Sequence, residues 1–229
     1  MSNKYNIVAL LPMKANSERV KGKNFKDFCG KPLFRWVLDT LLSVDRIDKV
    51  IINTDARQIL AENGLVDSDR VIIRDRPEAI CGDMVSMNKV INDDVENIDS
   101  DIYLMTHTTN PLLKKASVEA AIDQYMANAE CDSLFTVNKV QTRFYDQHVQ
   151  AINHDPDNLI RTQDLEPWYE ENSNLYLFTQ ESFSKTRARI GAKPMMLETE
   201  MFESTDIDTP ADWELAEVLV EYYKKKGVL

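Results

Sequence analysis

The chain has 229 residues, of which 43% are hydrophobic and 28% are charged, and its formal net charge at pH 7 is -11. This length suits one large α/β domain with a sizeable buried core. No stretch approaches the ~20 consecutive apolar residues of a membrane span, and we find no secretory signal, so we expect a cytoplasmic protein without a membrane partner. The acidic balance argues against a nucleic-acid partner. Three widely spaced cysteines without a CxxC pair favour neither a disulfide framework nor a zinc site.

Apolar runs that alternate with helical patterns predict repeated strand and helix units. In chain order the predicted strands are NIVALL, KVIINTD, RVIIRD, DIYLMTH, DSLFTV and NLYLF. The predicted helices are PLFRWVLDTLLS, ARQILAENGL, DMVSMNKVINDDVENI, SVEAAIDQYMANA and PADWELAEVLVEYYKKK. Residues 138–171 show no clear period. This order predicts an α/β fold with a mainly parallel sheet and helices on both faces, in a single domain over residues 1–229.

A basic segment lies between the first predicted strand and the first predicted helix. It reads LLPMKANSERVKGKNFKDFCGKPL and sets six Lys or Arg residues against Glu18 and Asp27. Such loops lie at the carboxyl ends of the strands in an open α/β sheet, where ligands bind. Neither the Walker pattern nor the dinucleotide fingerprint is present. Two interpretations stay open at equal weight: side chains that bind nucleotide phosphates, and a solvated charged loop.

The aspartate pair in STDIDTPADW is a second candidate. We predict an extended stretch in which Asp206 and Asp208, two residues apart, face one ion. Magnesium is usually held by one or two carboxylates together with substrate phosphates. The alternative is that Asp208 caps the helix that begins near Pro210, which leaves Asp206 without a role.

Two other strand ends carry polar residues. Asp55 follows KVIINT, and we favour a helix cap for it over a place at the ligand edge. The fourth strand ends in HTTNP, where His107, Thr108, Thr109 and Asn110 could contact a base or a sugar. The same residues also suit an ordinary turn and helix entry.

Taken in order, these segments resemble the acylneuraminate cytidylyltransferases, the family of CMP-sialic acid synthetases and of relatives that activate other nonulosonic acids. The likeness runs from about Ile7 to Glu217 and is carried by LLPMKANSERVKGKN, GKPL, TD, RPEAICGDMVS, HTTNPLL, ENSNLYL and DIDTPADW. It implies a Rossmann-like nucleotidyltransferase fold with a mainly parallel twisted sheet and a small dimerisation arm near residues 138–171. If the arm packs on a second copy of the chain, the protein is a homodimer. The alternative is that the same segment forms a self-contained lid.

The resemblance also implies roles by position. The phosphate charge and the metal would make Lys14, Lys23, Asp206 and Asp208 the catalytic residues, and the last two would ligate Mg²⁺. The sugar half departs from the family: His107 replaces a usual glutamine, and Ser173 replaces a glycine. The implied nucleotide contacts are Lys14, Asn16, Ser17, Lys23, Asn24, Arg76, Asp83 and Ser86, and the implied sugar contacts are His107, Thr109, Asn110 and Asn172.

The reaction that the resemblance implies is transfer of CMP from CTP to the anomeric hydroxyl of a 2-keto acid sugar, with release of pyrophosphate. Three alternatives stay open. A CMP-Kdo synthetase shares the overall plan. A metal-dependent nucleotide-sugar glycosyltransferase also uses a DxD pair, although that pair usually ends a strand in mid-chain. A non-catalytic nucleotide sensor would keep the basic loop and could lose the metal pair.

Overall fold

Residues 5–227, which the computed structural model describes, form alternating strands and helices around one large sheet. The strands are β1 (Ile7–Leu10), β2 (Asp27–Phe28), β3 (Lys31–Pro32), β4 (Lys49–Thr54), β5 (Val71–Asp75), β6 (Ile102–Met105), β7 (Ser133–Val140), β8 (Trp168–Phe178) and β9 (Pro194–Glu198). The helices are α1 (Leu33–Ser43), α2 (Arg57–Glu62), α3 (Met87–Asn97), α4 (Lys115–Ala127), α5 (Gln180–Thr186) and α6 (Pro210–Lys226). Short 3-10 turns occupy Lys23–Phe25, Glu78–Ile80, Thr162–Asp164 and Met201–Ser204.

The large sheet has the strand order β5-β4-β1-β6-β8-β7-β9. Parallel pairs join β1 to β4 and β6, and β4 to β5, whereas β8 runs antiparallel to both β6 and β7. The chain leaves β1 for β4 on one side and later returns to β6 on the other side. Such a reversal opens a crevice at the carboxyl ends of the strands, which is where an α/β sheet binds its ligands.

Both faces of the sheet are covered by helices, as the sequence predicts. Because side chains alternate along a strand, Ile7 and Ala9 face the core under α1, α2 and α4, while Val8 and Leu10 face the core under α3 and α5. All four of these β1 side chains are at most 2% exposed. A strand buried on both faces reads as a continuous apolar run, which explains the pattern of NIVALL.

A third apolar cluster holds the basic loop, defined here as residues 11–32, against α6. The β2–β3 hairpin carries Phe28, whose ring meets Trp213 edge-on at 5.2 Å between centroids. The Trp36 indole donates a hydrogen bond to the Phe28 carbonyl at 2.9 Å. Ile207 is fully buried in the same cluster. It lies between Asp206 and Asp208 in residues 205–209, called the aspartate segment below. The far end of the basic loop is therefore fixed to α6, and its middle faces the carboxyl edge of the sheet.

The sequence prediction missed several elements. The hairpin β2–β3, the seven-residue helix α5 and the edge strand β9 were not predicted, and NLYLF is the end of a longer strand that begins at Trp168. The edge strand β9 alternates exposed and half-buried side chains, so it lacks the apolar run of a central strand. Of residues 138–171, both ends lie in the β7–β8 hairpin, and residues 141–167 connect the two strands.

No helix within residues 5–227 is long and apolar enough to cross a membrane.

Candidate active site

The basic loop folds back over the carboxyl edge of the sheet. The Met13 amide donates to the Asn53 carbonyl at 3.1 Å, and the Ala15 amide donates to the Asp55 carboxylate at 2.7 Å. Between this loop and the ends of β5 and β6 lies a cavity of about 310 Å³, called the loop cavity below. It is lined by Pro12, Met13, Lys14, Ser17, Glu18, Arg19, Val20, Lys23, Asn24, Arg76, Asp83, Met87, Thr108, Thr109 and Asp208.

The three cations that the basic loop contributes to the loop cavity pair with carboxylates outside that loop. Lys14 pairs with Asp83, and this hydrogen bond and charge hold the pKa of Asp83 below its usual range. Lys23 is only 9% exposed and donates to the Ile207 carbonyl. Its ammonium also lies 3.3 Å from the Asp208 carboxylate, which Arg19 approaches at 2.9 Å from the other side. A buried ammonium that has several acceptors is oriented before any ligand arrives.

Asn24 ties the basic loop to β6. Its amide nitrogen donates to the Lys14 carbonyl at 2.9 Å, and its amide oxygen accepts from the Thr108 hydroxyl at 2.7 Å. Gly22 precedes this turn in the left-handed region, with φ of 61°, where a side chain would be strained. Lys23 and Asn24 are therefore positioned by the buried Asn24 amide and by the left-handed turn at Gly22.

Arg76 lines the loop cavity and is held in place by Asn53. Its Nε donates to the Asn53 amide oxygen at 2.9 Å, and Nη2 donates to the Asn53 carbonyl at 2.8 Å. The Asn53 amide nitrogen donates in turn to Asp93 and Asp94, each at 2.9 Å. Two carboxylates accept only from the nitrogen end of the amide, so they fix its oxygen toward Arg76. Burial raises the pKa of Asp94 to about 6, against the opposing effects of Asn53 and Arg74.

The aspartate segment, for which we predicted only an extended stretch, lies outside the strands of the sheet. The Ile207 amide donates to the Thr109 carbonyl at 2.9 Å, and its side chain enters the core, with an aspartate on either side. Asp208 lines the loop cavity. Asp206 has one carboxylate oxygen that is buried without a hydrogen-bond partner among the described residues. Burial raises the pKa of Asp206, a hydrogen bond from Thr109 opposes this, and the Asp208 charge adds to the rise.

These carboxylates fit the requirements of a magnesium ion. Mg²⁺ takes oxygen ligands, and a cation beside Asp206 would partner its orphan oxygen and favour its ionised form. Within residues 5–227, no three His, Cys, Asp or Glu side chains cluster as a ready-made metal site. Two carboxylates completed by substrate phosphates remain sufficient for this metal.

The predicted helix cap at Asp55 is wrong, and so is the alternative interpretation of Asp208 as a cap. Asp55 does not cap α2, whose N-cap is Ala56 without a side-chain bond; its carboxylate binds the basic loop instead. Asp208 does not cap α6. Thr209 does so by accepting from the Asp212 amide, in a reciprocal capping box with the Asp212 side chain. Asp208 therefore lines the loop cavity, and Asp55 holds the basic loop in place beside it.

On the predicted sugar side, the structure brings only some residues to the crevice. Thr109 lines the loop cavity, and His107, at the end of β6, lies 3.2 Å from the Arg189 guanidinium. Asn110 is fully buried, and Asn172 hydrogen-bonds to the side chains of Asn138 and Thr199, so neither lines the cavity.

The other residues predicted to contact the nucleotide also do not all lie in one cavity. Ser17 lines the loop cavity, whereas Asn16 is exposed outside it. Ser86 lines a neighbouring cavity together with Arg189. Sequence reasoning missed Arg189, because TRARIG follows a short polar helix and forms no motif with His107. Arg19 and Thr108 also line the loop cavity; the sequence indicated them only as members of the basic segment and of the polar strand end.

Comparison with known proteins agrees with this geometry. A family model described as cytidylyltransferase matches residues 8–227. The CMP-N,N'-diacetyllegionaminic acid synthase of Legionella pneumophila is 26% identical, covering 94% of this chain and 96% of that protein. A pseudaminic acid cytidylyltransferase of Campylobacter jejuni is 24% identical over 93% of this chain and 95% of its own length.

Solved structures show the same fold. A CMP:2-keto-3-deoxy-manno-octonic acid synthetase complexed with CTP superposes with a TM-score of 0.67 at 16% identity, covering 95% of this chain and 99% of that one. A 4-diphosphocytidyl-2C-methyl-D-erythritol synthase from Anaerococcus prevotii gives a TM-score of 0.68 at 13% identity, covering 96% and 97%. The chain belongs to the cytidylyltransferase family, with the nucleotidyltransferase form of the Rossmann-like fold.

Proposed function

We propose that this enzyme transfers CMP from CTP to the anomeric hydroxyl of a nonulosonic acid, a 2-keto acid sugar, and releases pyrophosphate. The observation that carries the proposal is the loop cavity, where Lys14, Lys23 and Arg76 converge with Asp208 at the carboxyl edge of the sheet. The names of the full-length relatives, which concern legionaminic and pseudaminic acids, support the choice of acceptor.

The residues suit this chemistry because both reactants are anions. Lys14 and Lys23 neutralise the phosphates, so the acceptor hydroxyl can approach the α-phosphorus while pyrophosphate leaves in line. Lys14 exchanges its surface pair with Asp83 for phosphate, and Lys23 is already oriented. The enzyme then contributes position and charge stabilisation, and no covalent intermediate on the protein is needed.

A magnesium cofactor belongs to the same proposal, with Asp206 and Asp208 as its protein ligands. When bound there, the metal would polarise the α-phosphate and lower the pKa of the attacking hydroxyl. The metal would then replace Arg19 as the partner of the Asp208 carboxylate, and it would give the buried oxygen of Asp206 a partner. Arg19 would in turn become available to the negatively charged substrate.

The test is pyrophosphate release from CTP, Mg²⁺ and a panel of sialic, legionaminic, pseudaminic and Kdo acids. We expect release with at least one nonulosonic acid, and none without a sugar or with UTP in place of CTP. Release with Kdo alone would instead identify a CMP-Kdo synthetase. CTP binding without release would support a sensor, and sugar transfer from a nucleotide sugar would support a glycosyltransferase.

We also propose a homodimer formed through residues 138–171, in the cytoplasm. The segment exposes several large apolar side chains, including Tyr145 at 51% and Leu159 at 62%. It is internally ordered, because Phe144 stacks on Trp168 at 5.1 Å between ring centroids. An ordered segment with exposed apolar side chains suits a protein interface. Light scattering should give twice the chain mass of 26.4 kDa, and a monomer at working concentration would contradict the dimer.

A further inference from the structure

A second cavity borders the loop cavity. It measures about 220 Å³, and Met87 lines both spaces. Its other lining residues are Ser86, Asn88, Ala188, Arg189 and Ile190. Arg189 is the one charged side chain among them, so this space, called the Arg189 cavity, has positive character in an otherwise acidic protein.

The Arg189 guanidinium is held in place on two sides. One terminal nitrogen lies 3.2 Å from His107 Nε2, and the other lies 3.2 Å from the Glu171 carboxylate. The guanidinium carbon sits 3.9 Å from the centroid of the Tyr176 ring. Burial and the nearby Arg189 charge lower the pKa of His107 to about 3, so the histidine is neutral and accepts from the arginine. The whole side chain is only 20% exposed.

Glu171 does not saturate this arginine. Its contact is with one terminal nitrogen, and the Arg189 Nε–H has no hydrogen-bond partner among residues 5–227. A guanidinium presents donors in a planar fork that can bind a carboxylate through two bonds. An edge of the fork therefore remains for a second anion.

The backbone that carries Arg189 is also anchored. The Ala192 and Lys193 amides donate to the Asp132 carboxylate, each at 2.9 Å, and the Gly191 amide donates to Ser133 at 2.8 Å. A side chain at Gly191 would collide with the Asp132 carboxylate. The turn is thus tied to β7, and the arginine has a defined position beside the crevice.

We propose that Arg189, oriented by His107 and Tyr176, binds the carboxylate of the sugar acid in the Arg189 cavity. This inference rests on the proposed function. In a 2-keto acid the carboxylate is attached to the anomeric carbon that bears the attacking hydroxyl. A group that holds the carboxylate therefore also positions the nucleophile, next to phosphates held in the adjoining loop cavity. The first turn of α3 also lines the Arg189 cavity, and the positive end of its helix dipole adds to the charge of Arg189.

The experiment compares Arg189→Gln and Arg189→Lys with the unaltered enzyme, in the full chain. The sugar KM of Arg189→Gln should rise about 10- to 100-fold, while the CTP dissociation constant measured by calorimetry stays within about twofold. Arg189→Lys should recover part of the loss, because it keeps the charge without the fork. Arg187→Gln is the matched control: that arginine lies on the same segment, bonds to Asn92 at 2.8 Å, and should leave the sugar KM unchanged.

A substrate analogue distinguishes binding of the sugar carboxylate by Arg189 from a purely structural role of this side chain. The unaltered enzyme should discriminate strongly against the carboxamide of its sugar, and Arg189→Gln should discriminate much less. An active enzyme in which Arg189→Gln keeps its normal sugar KM and discrimination overturns this inference alone. Equal losses in sugar and CTP binding would also overturn it, in favour of a structural role. If the unaltered enzyme releases no pyrophosphate with any sugar acid, the proposed function falls and this inference falls with it.

Discussion

The nucleotide side and the sugar side of the crevice are built in different ways. The loop cavity takes most of its cations from the basic loop, a contiguous segment that follows β1. The Arg189 cavity joins the start of α3 to the turn after α5, and its arginine contacts residues of β8 and the end of β6. Contiguous charge can be recognised along a chain, whereas a cation delivered by a distant turn cannot. The comparison separates variants that should affect CTP from variants that should affect the sugar.

The largest effect is expected at Asp208, which lines the loop cavity. Asp208→Asn should reduce turnover by about three orders of magnitude, because an anionic magnesium ligand is lost, while the fold stays intact. Thr209 caps α6, so Thr209→Ala is the control: it should lower stability by about 1 kcal/mol and leave turnover nearly normal. Steady-state kinetics and thermal unfolding check both variants. Near-normal turnover in Asp208→Asn would exclude the metal assignment.

Beneath the nucleotide side, Asp94 should make stability depend on pH. Its pKa is raised from 3.8 to about 6, so its contribution is fully present below pH 3.8 and is lost as pH rises through 6. Between pH 4 and 7 the unaltered protein should lose about 2.4 kcal/mol more unfolding free energy than Asp94→Asn. Urea unfolding at several pH values measures this difference. Parallel curves for the two proteins would contradict it, and Asp123→Asn, an exposed position, provides a matched control.

The lysines test whether the basic loop binds phosphate or only carries charge. Lys23→Ala and Lys14→Ala should each weaken CTP binding by about 10- to 100-fold, since a charge-assisted hydrogen bond contributes about 1.5–3 kcal/mol. Lys21→Ala removes the same charge from an exposed position outside the cavity and should change little. Lys26 is a poorer control because its ammonium lies 4.3 Å from the Trp213 ring centroid. CTP titrations at fixed ionic strength would contradict the site if all three losses were similar and sensitive to salt.

The smallest effect is expected from the side chain of Asn53, which touches the nucleotide side only through Arg76. Asn53→Ser should raise the CTP KM about fivefold to tenfold, a loss of roughly 1 kcal/mol, and leave the sugar KM unchanged. Asn97→Ser removes an exposed bond to the Asp93 carbonyl and serves as the control. If Asn53→Ser lowered stability without changing the CTP KM, the amide would be structural only.

Much of the fold followed from the chain itself. Strands buried on both faces read as apolar runs, and helices with one buried face read at helical spacing, so β1, β4, β5, β6 and the long helices were predictable. The direction of β8 and the presence of β9 were not, because strand pairing is a long-range choice and an edge strand carries no apolar run.

The candidate site divides along the same line. The sequence alone marked the basic loop and the aspartate pair, because each is a local run whose charge pattern stands out from its surroundings. The tertiary structure decided that Asp208 lines the loop cavity and that Asp55 holds the basic loop, since Thr209 and Ala56 occupy the cap positions. It also decided that Arg189 meets His107 across 82 positions of sequence separation. Local pattern determines which groups are charged, and only the packing of α3, α5 and β8 determines which of them share one space.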